Sequence, residues 1–368
     1  TRVRSSAASD VYKRQILVIV LLLCSCSDVD NLGVYEVKVP AETNQKEVLL
    51  SAFVENIRIV PLDMDDECLI SQIDKVKIFK DEIYILDKTN NAIYIYGMDG
   101  KHLRTLFKVG NGPGEYLQLM DFDIYDNQLF VLDYGRCHIL KYDCDLNYIN
   151  QIQYDTYSTQ IVVNNGLIYL YNLKSRKGED YKCSILNDRG RKVADKLIRR
   201  DHENLFNYNE CNVFAVNNEE VYISPVYDNR IYHGENLDPV YWVRFVGKEF
   251  PNEQNVEEQD VNSSDFNYVV KNNYYVSNRY FIFDYLIQDQ RVFCVVDKSN
   301  DKVEVGVVKN DLIQGYRFFP RWGDEKYLVE EINAGILYEY FPTLLESMKL
   351  HDLSPDDNPV ILLYEMKK

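Results

Sequence analysis

From Val54 onward, apolar and polar residues alternate with a period of two over short runs, the pattern of strands that bury one face. Tyrosine (30 residues), phenylalanine (16), valine and isoleucine fill the apolar positions, and their shapes favour a pleated surface over a helix. The runs group in fours. Asp74 to Phe79, Glu82 to Leu86, Ala92 to Tyr96 and His102 to Lys108 form one meander, with turns predicted at Lys80-Asp81, Lys88 to Asn91 and Met98-Asp99-Gly100. The pattern then restarts: Asp121 to Tyr154 repeats Lys75 to Phe107 element by element, and Leu86-Asp87 lies 46 residues before Leu132-Asp133.

Weaker copies run from Ile161 to Ile198, from Cys211 to Val246 and from Tyr268 to Val308. The last combines Tyr316 to Ile332 with Pro359 to Met366 around an insertion. Four-stranded units recurring about every 40–50 residues predict an all-β, six-bladed β-propeller with antiparallel blades. The last unit lacks an outermost strand, and Asn56 to Asp63, an unpaired apolar run ahead of the first unit, is predicted to supply it and close the ring. Residues 54–368 then form the propeller, about 52 residues per blade.

Between the first two units lies KVGNGPGEY, residues 108–116. A phosphate-binding loop needs G-x-x-x-x-G-K-[ST] leading into a helix, so that backbone N–H groups converge on the anion. Pro113 has no N–H, no Lys-Ser/Thr follows, and the next segment is a strand, so the loop is expected to be a crossover. Gly110, Gly112 and Gly114 are expected to supply its positive φ angles. Together with the strand and terminal aspartate that follow, the segment resembles an NHL-type repeat. The chain as a whole is similar to the six-bladed β-propeller lipoproteins of Gram-negative bacteria, with the resemblance sharpest over residues 70–150.

The N-terminus adds an address. Residues 1–15 match neither leader nor domain and resemble translated adaptor read-through. Residues 16–25 open with Ile16 to Leu23, too short to span a membrane but suited to a signal-peptide core. Leu23-Cys24-Ser25-Cys26 looks like a bacterial lipobox, which implies lipidation of Cys26, and Ser27, Asp28 and Asp30 resemble the acidic tag of surface-exposed lipoproteins. Residues 26–53 are expected to be a tether. The formal charge of −17, without a basic cluster beyond Arg199-Arg200, excludes nucleic acid as an expected partner. Cys137 and Cys144 are considered for a disulfide on neighbouring strands.

Chemistry is expected where the second-to-third strand loops and the crossovers share one face. Asp87, Asp133 and Asp284 fall near the ends of second strands. The similarity to propeller lactonases implies that they could form an acidic rim for a divalent cation such as calcium, whereas the repeat itself implies that each caps its own loop. Tyr134, Arg136, Arg176, Tyr227, Arg230, Tyr285 and Trp322 crowd the same loops and suit a glycan or a protein partner. The five histidines are scattered, and H-E-x-x-H and G-x-S-x-G motifs are absent. The expectation is therefore a monomeric, lipid-anchored propeller at the outer membrane. It would bind an envelope protein or glycan without a cofactor and without catalysis. The alternative is a metal-dependent lactonase or sugar-modifying hydrolase.

Overall fold

A computed structural model describes residues 33–40, 46–65, 68–175, 181–199, 212–225, 228–248, 269, 271–287, 290–348 and 350–368. Residues 36–368 form the six-bladed propeller. Blade one comprises Lys75–Phe79, Glu82–Asp87, Ala92–Gly97 and His102–Leu106. Blade two comprises Leu119–Tyr125, Gln128–Asp133, His138–Asp143 and Tyr148–Gln153. Blade three is built from Thr156–Asn164, Leu167–Ser175, Tyr181–Asn187 and Lys192–Ile198. Blade four follows with Phe214–Asn217, Glu220–Ile223, Arg230–His233 and Asp238–Val246. Lys271–Val276, Tyr280–Ile287, Gln290–Asp297 and Lys302–Lys309 make blade five. First strands of most neighbouring blades touch one another around the axis.

Blade six takes Trp322–Gly323, Tyr327–Ile332 and Val360–Met366 from the C-terminal end and Val54–Pro61 from the N-terminal side. This last strand runs antiparallel to Val360–Met366, with Val60 opposite Ile361 and Arg58 opposite Leu363. The insertion ahead of Val360 contains two short helices, Ala334–Tyr340 and Pro342–Ser347; the Asn333 side chain caps the first by accepting the Ile336 N–H at 3.1 Å. Among the described residues no helix is long and apolar enough to cross a membrane.

The core lies between blades. One apolar cluster joins Val60, Leu363, Ile85 and Tyr96 across the seam of blades six and one, and another joins Tyr84, Ile95, Phe122 and Tyr142 across blades one and two. A blade sandwiched on both faces must be apolar on both, so its middle strands abandon the alternation: Ile83–Asp87 is buried at every position.

Two strands fall inside the expected tether of residues 26–53. Tyr35–Pro40 adds to the outer edge of blade four, burying Val37 and Val39, and Glu47–Leu49 pairs in parallel with the outermost strand of blade five. Both cover backbone edges that would otherwise stand unpaired. The second is admitted by Gly306, where a Cβ would sit 1.9 Å from the Lys46 carbonyl oxygen. Residues 1–32, with the segments expected to be read-through and signal core and with Cys26, lie outside the described residues.

The crossover of residues 108–116 corrects the expectation for its glycines. Only Gly114 has a positive φ, +73°. At Gly110 and Gly112 the backbone angles are ordinary, and the Glu115 carboxylate folds back over them, accepting the Gly112 N–H at 2.7 Å. A Cβ on Gly110 would lie 2.1 Å from the same oxygen. Cys137 and Cys144 flank a single strand, His138–Asp143, and both are free thiols. About seven extended residues separate them by roughly 20 Å, beyond the reach of a disulfide.

Candidate functional site

Asp87, Asp133 and Asp284 are fully buried, the first two at the ends of second strands and Asp284 in the middle of one. Asp87 accepts the N–H groups of Ser71 at 2.7 Å, Gln72 at 3.3 Å and Asn90 at 2.8 Å. Asp133 does the same one repeat later, accepting Leu117 at 3.3 Å, Gln118 at 3.0 Å and Gly135 at 3.1 Å, and adds Arg136 Nε at 2.9 Å. Asp284 is paired with Arg291 Nη2 at 2.7 Å; burial pushes its carboxyl up, opposed by that guanidinium. Each holds its own loop or strand, and the structure does not gather the three into one cluster. Among the described residues the one group of three metal-capable side chains is elsewhere, at Asp65, Cys68 and His102.

The predicted aromatic and basic residues also separate. Tyr134 lies tilted against Tyr157 with ring centroids 6.0 Å apart, and Arg136 is paired with Asp133. Arg230 lies over Trp242 at 5.1 Å on the periphery of blade four, with Arg244 on the same indole. Tyr285 is buried in the core against Phe245, not displayed on a loop. Trp322 is buried as well, donating Nε1–H to the Asp74 carbonyl at 3.2 Å across the closing seam. Arg176 and Tyr227 lie outside the described residues.

The polar chemistry is concentrated along the axis. A first strand has no inner neighbour, so its N–H and C=O groups face the channel and need partners. Blades one and two meet through charge: Lys75 Nζ reaches Asp121 Oδ1 at 2.7 Å and the Phe122 carbonyl at 2.7 Å, and Lys77 pairs with Asp123. The other oxygens of those aspartates accept backbone N–H groups from blade three, Ile161 at 2.8 Å and Val163 at 2.7 Å. Gln160 carries the chain of contacts to Val213 N–H of blade four at 2.9 Å, and Asn273 of blade five accepts the Asn212 N–H at 3.1 Å.

Beside this polar lining is a cavity of about 740 Å³ that opens among the first-to-second strand turns, including Lys80-Asp81, Asn218-Glu219 and Asp324 to Lys326. Phe79, Phe214, Trp322 and Tyr327 supply aromatic surface. Charges are nearly balanced, with Lys75, Lys77, Lys80 and Lys326 set against Asp81, Asp123, Glu219, Asp324 and Glu325. Burial raises the Asp324 carboxyl, opposed by the N–H groups of Tyr327 and Lys326. Of the residues expected to bind ligand, Trp322 alone among the described ones reaches this cavity. The missed residues did leave a trace: Lys75 and Asp121, and likewise Lys77 and Asp123, are 46 residues apart, so complementary charges occupy equivalent positions in successive repeats.

Fold and channel together define a closed six-bladed propeller with a polar axial lining and one sizeable axial cavity. The chain belongs to the family described as Domain of unknown function (DUF4934), whose model matches residues 34–365. Its fold is similar to that of an exported protein from Bacteroides fragilis NCTC 9343, at 16% identity and a TM-score of 0.72, over 90% of this chain and 100% of that one. A member of the duf4221 family from Bacteroides vulgatus ATCC 8482 is similar at 9% identity and a TM-score of 0.54, over 86% of this chain and 98% of that one. No protein with a curated description matches the sequence.

Proposed function

We propose that this protein is an envelope recognition module, lipid-anchored through Cys26, whose propeller binds a neutral, polyhydroxylated ligand such as a glycan at the axial cavity without turning it over. The carrying observation is the balance of that cavity: aromatic surface beside near-equal numbers of lysine and carboxylate groups suits a neutral polar ligand better than a strongly charged one. Its deepest ionisable groups are already committed, Lys77 to Asp123 and Asp123 in turn to the Val163 N–H, so they form a fixed binding wall. Location at the envelope is supported by the lipobox-like Leu23 to Cys26 and by the similarity to an exported protein.

Calorimetry of the folded chain against envelope-derived and host-type oligosaccharides tests it. Binding that weakens at least tenfold in Phe214→Ala and Glu325→Ala supports the cavity. No glycan bound across a broad panel, or affinity indifferent to both substitutions, overturns it. Replacing Cys26 by Ala is expected to move the protein from the membrane to the soluble fraction. A second reading, a protein partner, is favoured by Ile336, Tyr338 and Tyr340 on the helix inserted in blade six, which are 50%, 51% and 66% exposed. It predicts a co-purifying protein lost on Tyr340→Ala.

A further inference from the structure

We propose that Asp65, Cys68 and His102 bind a divalent transition metal, with zinc the best match, at the rim where blade six closes onto blade one. Each residue offers one ligand atom and all three atoms lie within 4.8 Å of one another. Thiolate with imidazole selects zinc-like ions over calcium or magnesium, which prefer all-oxygen shells. Three protein ligands leave a fourth tetrahedral position for water, and the exposure of Asp65 provides an approach from solvent. This site is separate from the axial cavity and stands whether or not that cavity binds glycan.

Comparison with the next seam gives the cluster its weight. Tyr96 donates to the Cys68 carbonyl at 3.2 Å and Tyr142 to the Gly114 carbonyl at 2.9 Å, each reaching 28 residues back, so Cys68 and Gly114 are equivalent positions. Offset by the same repeat, His102 corresponds to Tyr148. Between blades one and two this pair is a packing contact: a Cβ on Gly114 would lie 2.7 Å from the Tyr148 Cβ. At the closing seam, glycine and tyrosine are replaced by a thiol and an imidazole, and Asp65 is added.

Hydrogen bonds and close packing hold the backbone at Asp63, Cys68 and Gly100. Asp63 N–H donates to the Gly100 carbonyl at 2.8 Å, and a Cβ on Gly100 would be 1.9 Å from the Pro61 oxygen. Asn358 Nδ2 donates to the carbonyls of both Asp63 and Cys68 at 2.7 Å, and its Oδ1 accepts Ile70 N–H at 3.0 Å. The His102 ring is held by Thr105 at 2.8 Å through Nε2 and by the edge of Tyr96 at 5.5 Å. Such outer partners orient ligands in advance. A bound metal would rivet the crossover from the closing strand onto the outermost strand of blade one, where the ring's two ends meet.

Cobalt titration of the chelator-treated full chain tests this. One equivalent of Co²⁺ is expected to produce a thiolate-to-cobalt charge-transfer absorption that Zn²⁺ displaces, and Zn²⁺ is expected to raise the melting temperature. Cys68→Ser should abolish the absorption and Cys144→Ser should keep it. Because Cys68 is buried and its replacement could disturb folding, His102→Gln and Asp65→Asn provide the second arm. Each should weaken binding by roughly tenfold or more, since even outer-shell partners carry that much. Absence of the absorption in the folded wild-type chain overturns the proposal. So does its persistence in Cys68→Ser, or unchanged affinity in both His102→Gln and Asp65→Asn.

Discussion

Replacing Asp133 separates a loop cap from a metal ligand. The carboxylate is fully buried and accepts three backbone N–H groups and Arg136 Nε. Asp133→Ala strands those donors where water is scarce. Hydrogen bonds to a charged group contribute about 1.5–3 kcal/mol each, and breaking a buried ion pair costs about 3–5 kcal/mol, so after partial relaxation a loss of about 3–5 kcal/mol is expected. Asp133→Asn keeps Oδ1 for Gln118 and Gly135 but turns an amide NH₂ toward Leu117 N–H and Arg136, costing about 2–3 kcal/mol. Urea unfolding followed by far-ultraviolet circular dichroism gives the midpoint shifts, compared at constant slope. An aspartate held in reserve for a cation would behave oppositely: in metal-free protein, neutralising it would raise stability. A midpoint unchanged within about 0.5 kcal/mol, or raised in Asp133→Asn, refutes the loop-cap assignment.

Two further outcomes follow from the geometry. Burial pushes Glu330 up to about 7 from the ordinary 4.5, although Tyr316, Tyr364 and the Phe319 N–H all donate to it. The folded chain therefore holds a proton that the unfolded chain releases, and stability falls as pH rises from about 4.5 through about 7, by on the order of 3 kcal/mol. Glu330→Gln should remove that slope relative to wild type in melts at pH 5 and 8, and an identical pH profile for the two proteins would count against it. Gly114→Ala should lose about 2–3 kcal/mol, combining a positive φ with a clash against Tyr148. Gly166→Ala, also at positive φ but with nothing within 4 Å of its Cβ, should lose only about 1 kcal/mol in the same denaturation assay.

The channel was the hardest part to read from sequence. Alternation in Lys75 to Phe79 separates two faces of a strand but does not say whether the polar face meets bulk water or five other first strands. Lys75 and Lys77 consequently look like a solvated face. Tyr285 and Trp322 mislead in the opposite direction. Aromatics near strand ends suggest display, yet a blade pressed between two neighbours buries both faces: Tyr285 is spent on packing, and Trp322 is buried at the closing seam beside the axial cavity. Asp87 and Asp133 were legible as loop caps because the repeat places each at the same offset from the N–H groups it accepts.

Pattern and period along the chain were enough for the strands, their grouping by four, the number of blades and the closing role of the run after Val54. These follow from local side-chain alternation and from the repeat of about 46 residues, both of which are properties of order along a chain. Only the folded ring decided that residues 35–40 and 47–49 are strands, that Lys75 and Lys77 pair with aspartates of the neighbouring blade beside the axis, and that Asp65 and Cys68 meet His102. The short edge strands have no stability apart from the blades they cover. The charge pairs and the metal-capable cluster exist only where the closed ring brings separate blades, or its first and last blades, into contact.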